Sequence, residues 1–296
     1  MLFPVSGVEI APWIPPAVAF VIAFLGSMAG LSGAFLLLPF QMSVLGFTSA
    51  GVSPTNLIYN MVGTPAGVWT YVREKRMFWP LALAIMVGQM PGMFIGIFLR
   101  LQYLPDARSF KVFVAIVLLL VLCNLIRTMV GKRKKPVGHR LPGWGVVESC
   151  QWSRRQLSCV FEDVSYTVST VPLLAVSFCI GVVGGAYGIG GAAFLAPLLV
   201  TSFRLPVYII AGSTLFANAV ASTIAVLVYQ FVAPRFGYAD ARPDWILGLL
   251  FGAGGIVGMY CGARAQKHVP ALWIKVILGA GVTFVAVRYL YEGWYG

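Results

Sequence analysis

Apolar residues in this chain run in long stretches, with none of the strict alternation that marks half-buried strands. The stretches fall at 14–31, 33–46, 55–72, 79–99 and 109–130, and again at 170–187, 189–203, 207–232, 245–263 and 271–291. They form two sets of five. A helix that crosses a bilayer needs about 20 apolar residues, so 79–99, 109–130, 207–232 and 271–291 predict full spans. In the opening pair of each set, glycines and a proline interrupt one long apolar region, leaving two pieces that are either full spans or half-helices. The pattern predicts an all-α polytopic membrane protein with eight to ten crossings.

Composition agrees. Of 296 residues, 59% are hydrophobic and 10% charged, whereas soluble domains carry about 25% charged residues. A soluble globular fold, disorder, collagen and a coiled coil are excluded. The net charge of +12 is read as topology and not as nucleic-acid affinity, because the basic residues sit between apolar runs. Eight of the 21 Lys and Arg fall between Arg127 and Arg155, and Arg73, Lys75 and Arg76 form a second cluster. Both clusters are expected on the cytoplasmic side, although a patch for anionic lipid would look similar. Cys150 and Cys159 lie in the basic loop and the other three cysteines in apolar spans; no disulfide framework or zinc spacing is expected. Met1 to Pro16 has no basic residue ahead of the apolar run, so the first span is expected to be retained.

The chain divides into a first membrane repeat, 1–130, a basic cytoplasmic linker, 131–168, and a second membrane repeat, 169–296. Within the linker, Leu157 to Val168 fits either a small hairpin or an irregular connector. The repeat shows at an offset of 158 residues. There Gly30-Leu31-Ser32-Gly33-Ala34-Phe35-Leu36-Leu37-Leu38-Pro39 lies over Gly188-Ile189-Gly190-Gly191-Ala192-Ala193-Phe194-Leu195-Ala196-Pro197, with five of ten positions identical. The same offset pairs Gly26 with Gly184, Asn60 with Asn218 and Tyr71 with Tyr229. At an offset of 166, Gly88, Gly92 and Gly96 fall over Gly254, Gly258 and Gly262. Five segments per half, an odd number, predict inverted repeats.

Gly188-Ile189-Gly190-Gly191 has no preceding strand and no acidic residue about 20 positions on, so it is not a dinucleotide fingerprint. Inside a membrane such glycines let the backbone leave the helix and free N–H groups at the start of the next half-helix, where anions bind. Close helix packing is the alternative use, and it is the expected one for the two four-residue glycine ladders. Asn56, Asn60 and Thr64, and Thr214, Asn218 and Ser222, each step by four and form polar stripes, which either line a path or bond helices together. No Asp, Glu, Lys or His lies near the middle of a span, which disfavours intramembrane proteases, metal and haem enzymes and carboxylate proton relays. No catalytic residue, cofactor or metal is expected. Arg204 is either a loop anchor or a basic residue reaching the site.

At these residues the sequence resembles the TauE/SafE sulfite exporter family, from about residue 17 to 291. The resemblance rests on Gly181 to Pro197, its weaker counterpart Gly26 to Pro39, and Ala211-Gly212-Ser213-Thr214. It implies export or uptake of sulfite, sulfoacetate or related organosulfonates across the bacterial inner membrane. No P-loop is present, so the driving force is an ion gradient, the membrane potential or the substrate's own gradient. The expected site comprises Ser32, Gly33, Asn56, Asn60, Gly190, Gly191, Ser213, Thr214 and Asn218. Amides near Gly33 and Gly191 would bind the small anionic substrate at the midplane, and Ser213, Thr214, Asn60 and Asn218 would donate side-chain hydrogen bonds. A coupling ion and self-association stay open, as do two other functions: a passive anion channel, or a scaffold recruiting a partner through the basic loop.

Overall fold

Residues 1–28, 31–130, 147–153, 155–161, 164–265 and 271–295 are described by a computed structural model. Gly30, the basic run 132–135, His139 and His268 lie outside the described residues. The first five helices are α1 (Ile14–Met28), α2 (Ala34–Ser43), α3 (Val52–Arg73), α4 (Trp79–Tyr103) and α5 (Ala107–Val130). Three strands follow, β1 (Val147–Trp152), β2 (Gln156–Phe161) and β3 (Val164–Ser169). The last five helices are α6 (Thr170–Tyr187), α7 (Ala192–Thr201), α8 (Val207–Leu227), α9 (Trp245–Ala265) and α10 (Ala271–Tyr295). Each apolar stretch in the sequence corresponds to one helix.

Four segments, Trp79–Tyr103, Thr170–Tyr187, Ile209–Phe236 and Ala239–Ala265, are long and apolar enough to cross a membrane by length and composition. By contrast α2 and α7 have ten residues each. At 1.5 Å per residue they are about 15 Å long, half of a hydrocarbon core of about 30 Å. The short-helix alternative therefore holds for these two. Large apolar side chains such as Val87, Phe94 and Phe98 on α4 and Phe284 and Val287 on α10 are exposed, as a lipid-facing surface requires. The chain is a multi-pass membrane protein.

The glycine ladders set how closely the helices approach. A Cβ at Gly88, Gly92 or Gly96 would strike the backbone carbonyls of Leu174, Phe178 and Val182 on α6. One at Gly254, Gly258 or Gly262 would strike those of Pro16, Phe20 and Phe24 on α1. Both ladders are packing surfaces, and both contact series ascend together, so α4 runs parallel to α6 and α9 parallel to α1. Gly248 meets Ile58 and Gly252 meets Val62, which makes α3 parallel to α9. The start of α3 meets the end of α4 through Ser53 and Arg100, so those two are antiparallel. Two sets of opposite sense result: α1, α3 and α9 against α4 and α6.

The chain departs from all-α in the antiparallel sheet β1-β2-β3. The hairpin reading of Leu157 to Val168 is the one found, with β1 added on its far edge. Leu157, Cys159 and Phe161 turn to the buried face at the two-residue strand period. Val147 donates its N–H to Lys75 O at 2.9 Å, so the sheet sits at the end of the molecule that carries Arg73, Lys75 and Arg76. Thr55, Asp244, residues 1–10 and the end of α4 lie at the other end. There Asp244 Oδ1 accepts from Leu247 N at 3.1 Å, its Oδ2 accepts from Ser6 Oγ at 2.8 Å, and its own N–H donates to Thr55 Oγ1 at 2.8 Å. This carboxylate caps the start of α9.

Candidate functional site

Two helix breaks meet at Asn56 and Asn60 of α3. After α1 the chain doubles back, with Leu31 N donating to Gly26 O at 2.9 Å, and α2 starts at Gly33, whose φ is +79°. After α6, Gly188 and Ile189 donate to Gly184 O at 2.9 and 3.1 Å, and α7 starts at Gly191, whose φ is +108°. Both positions need glycine for their left-handed backbone and for lack of room. A Cβ at Gly33 would lie 2.9 Å from Ile22 Cγ2, and one at Gly191 would lie 3.0 Å from Ile180 Cγ2. The two isoleucines are themselves 158 residues apart. No side chain caps either helix start, although Ser, Thr, Asp or Asn is the usual choice there. Each start therefore presents backbone N–H groups and the positive end of a helix dipole.

A third local feature is the proline in each half-helix. Pro39 has no N–H, so the carbonyl four residues earlier, Phe35 O, lacks its intrahelical donor. Tyr187 Oη donates to it at 3.0 Å. Asn56 then joins the breaks directly: its Nδ2 donates to Ala34 O at 3.1 Å and to Gly188 O at 2.8 Å, while Gln41 Nε2 donates to its Oδ1 at 3.1 Å. Asn60 Nδ2 donates to Ile189 O at 2.9 Å. One side chain closes each break at equivalent positions, Tyr59 Oη on Ser32 O and Gln89 Nε2 on Gly190 O.

Seven of the nine expected residues are gathered here. Ser32 and Gly33 form the first break, Gly190 and Gly191 the second, and Asn56 and Asn60 bind their carbonyls. The Oδ1 of Asn218 occupies the place a Gly190 Cβ would need. Ser32 Oγ, Asn60 Oδ1 and Ser222 Oγ are buried without a partner among the described residues. Ser213 and Thr214 are not brought to the breaks. Ser213 Oγ donates to Phe78 O at 3.0 Å, about 16 Å along α4 from Gln89 at the helical rise, and Thr214 Oγ1 donates to Ile210 O at 3.1 Å. Their hydroxyls serve the backbone of their own region. The stripe holding Asn56 and Asn60 likewise bonds elements together, since both amide N–H groups are taken by break carbonyls. Arg204 is exposed in the turn after α7, with φ +56°, and acts as a loop residue.

Tyr59 is the contributor absent from the sequence expectations, and Gln41, Gln89 and Tyr187 are contributors that the sequence offers without singling out. A signal exists for Tyr59 and Gln89: at the 166 offset Gln89 falls on Gly255, and a Cβ at Gly255 would lie 2.7 Å from Tyr59 Cε2. The second half thus leaves space where the first half has Gln89, and Tyr59 fills it. Among the described residues no group of three or more His, Cys, Asp or Glu is gathered to hold a metal ion.

Comparison with known proteins matches the sequence to a family. The model of the sulfite exporter TauE/SafE family matches residues 16–289. "Probable membrane transporter protein YunE" of Bacillus subtilis (strain 168) is 21% identical over 277 residues, covering 90% of this chain and 93% of the relative. "Probable membrane transporter protein y4hK" of Sinorhizobium fredii (strain NBRC 101917 / NGR234) is 22% identical, covering 88% and 90%. No solved structure matches. With two glycine breaks inside a helical membrane scaffold and a family match spanning nearly its whole length, the chain belongs to the TauE/SafE sulfite exporter family, a family of membrane transporters and not of enzymes.

Proposed function

We propose that the chain is a secondary transporter, working as an exporter of small sulfur-containing anions such as sulfite, sulfoacetate or other organosulfonates across the bacterial inner membrane. One observation carries the reading: the Asn56 amide bridges Ala34 O and Gly188 O, so two uncapped helix starts stand within one side chain of each other. Two positive helix ends aimed at a common region bind an anion without a side-chain charge at the midplane. The buried, unpartnered Ser32 Oγ beside the first start adds a donor. An inside-negative potential favours anion export by about 2.3 kcal/mol per charge per 100 mV.

Alternating access follows from an inverted repeat, in which the halves 1–130 and 169–296 exchange roles around the site. The opposite senses of α1 and α6 support this reading, as does the exchange of partners between halves: α1 packs on α9 as α6 packs on α4. The basic segments at the sheet end face the cytoplasm in this arrangement.

Transport of radiolabelled sulfite into proteoliposomes tests the site. Gly191→Leu abolishes uptake while the protein still inserts and purifies as a folded species, because the side chain forces Gln89 and Ile180 off the start of α7. Uptake at the wild-type rate in this variant would overturn the site. Acceleration of flux by substrate on the trans side identifies a carrier; its absence, with a measurable current, identifies a pore.

A further inference from the structure

Arg100, in the last turn of α4, is the largest fully buried side chain among the described residues, at 0% exposure. Arg100 forms no ion pair with a carboxylate among those residues. Its guanidinium meets neutral groups: Nε donates to Ser53 Oγ at 3.4 Å, Nη1 donates to Leu104 O, and the plane lies 3.7 Å from the centre of the Phe110 ring. Nη2 is buried with no partner. A buried cation is retained in a membrane protein where something anionic comes to it, and a helix C-terminus alone would be served by the single bond to Leu104 O.

Tyr229 supplies the second donor. Its ring packs in one apolar cluster with Met93, Ile97 and Leu101 of α4, the turns that carry Arg100, and its hydroxyl lies within electrostatic reach of the guanidinium. It is 0% exposed, and its hydroxyl has no partner among the described residues. The backbone there leaves α geometry for a π turn, Val228–Val232, a distortion that recurs at functional sites. Two buried donors without acceptors therefore stand on neighbouring elements, one of them charged.

This cluster is joined to both breaks. Ser53 packs against Gly188, where an added Cβ would lie 2.6 Å from Ser53 Cβ. Phe110, under the guanidinium, packs edge-on against Tyr187 at 6.4 Å, and Tyr187 bonds to the first turn of α2. The other half offers a contrast. Tyr71, the residue 158 before Tyr229, faces Arg76, whose guanidinium lies 5.0 Å from its ring centre, but Arg76 is paired with Glu74. Each half thus places a tyrosine beside a buried arginine, at opposite ends of the molecule; Arg76 has an ion-pair partner, and Arg100 has none among the described residues.

We propose that Arg100, Tyr229 and Ser53 form an oxyanion subsite that takes the sulfite or sulfonate head group at the end of the molecule opposite the basic segments, next to the Gly188 break. The free Nη2 and the tyrosine hydroxyl donate to two oxygens of the head, and the guanidinium charge balances it. The inference rests on the anion-transport reading above and adds the residues that select the charged head.

The test is calorimetric titration of the full chain in nanodiscs with sodium sulfite and sodium methanesulfonate, against sodium chloride as control. Tyr229→Phe keeps the ring and removes one hydroxyl; it weakens sulfite binding at least tenfold with little change in melting temperature. Arg100→Lys keeps a charge but loses the fork and weakens binding similarly, while Arg100→Gln abolishes it. Wild-type affinity for sulfite in Tyr229→Phe overturns the subsite, and this variant decides the matter if Arg100→Gln does not fold. If the wild type and these variants bind equally while Gly191→Leu does not bind, the transport reading stands and the subsite falls. If the wild type binds none of the oxyanions, both fall.

Discussion

Asn56 shows what a single buried amide does in this chain. Its N–H groups meet one carbonyl from each break, and its oxygen accepts from Gln41, so its hydrogen-bonding capacity goes to joining the two halves. Asn56→Leu removes the side-chain donor of Gly188 O and the second donor of Ala34 O, at about 1–3 kcal/mol in all. A fall in melting temperature of the detergent-solubilised protein, with lost uptake, is the expected result; an unchanged melting temperature would remove Asn56 from this role. The four-residue step of Asn56 and Asn60 was legible in the sequence, since spacing alone places them on one face. The destination of their N–H groups was not, because Gly188 and Ile189 are more than 120 residues away and a break carbonyl looks like any other in a sequence. Ser213 and Thr214 show the same limit from the other side: the family resemblance marked their segment, yet their hydroxyls bind backbone carbonyls of Phe78 and Ile210, away from the breaks.

Elements were read more securely than contacts. Ten apolar stretches gave ten helices, because water-free surroundings force every backbone group to pair within its own segment. Glycine and proline marked where α2 and α7 start and where a carbonyl is freed. Whether these pieces span was decided by their ten-residue lengths, which depend on where the left-handed glycines turn the chain. The ladders show period four in the sequence, but their partners α6 and α1 appear only in the fold. Gly92→Val tests this contact. Its side chain meets Phe178 O and separates α4 from α6, which costs about 3 kcal/mol or more, read as early aggregation of a fluorescent fusion on heating in detergent. Tolerance of valine there, with unchanged melting, would refute the close approach.

For the whole molecule, the positions of the basic residues predict an orientation that labelling can check. Cys150 on β1 is exposed, at the end carrying Lys75 and Arg76. In a variant with Cys123, Cys179 and Cys261 replaced by alanine, an impermeant maleimide labels Cys150 in inside-out vesicles and not in right-side-out ones. The opposite result would reverse the topology. Cys159, its partner across the strands, stays unlabelled: burial, and secondly the neighbouring Cys150, push its thiol up to about 12. A raised pKa leaves about one thiol in ten thousand ionised at pH 8, and the thiolate is the species that reacts. Labelling of Cys159 should therefore appear only well above that pH.

The sequence by itself determined the membrane environment, the ten helical segments and the places where the backbone breaks. These follow from hydropathy, backbone pairing and the conformational range of glycine and proline, all of which act within a few residues. The tertiary structure alone decided how α1, α3, α4, α6 and α9 run against one another, which side chains close the breaks, and that Arg100 is buried without an ion pair among the described residues. Those outcomes depend on contacts between residues more than 200 positions apart, as Gly254 is from Pro16, and a residue's burial and partners are properties of the packed whole.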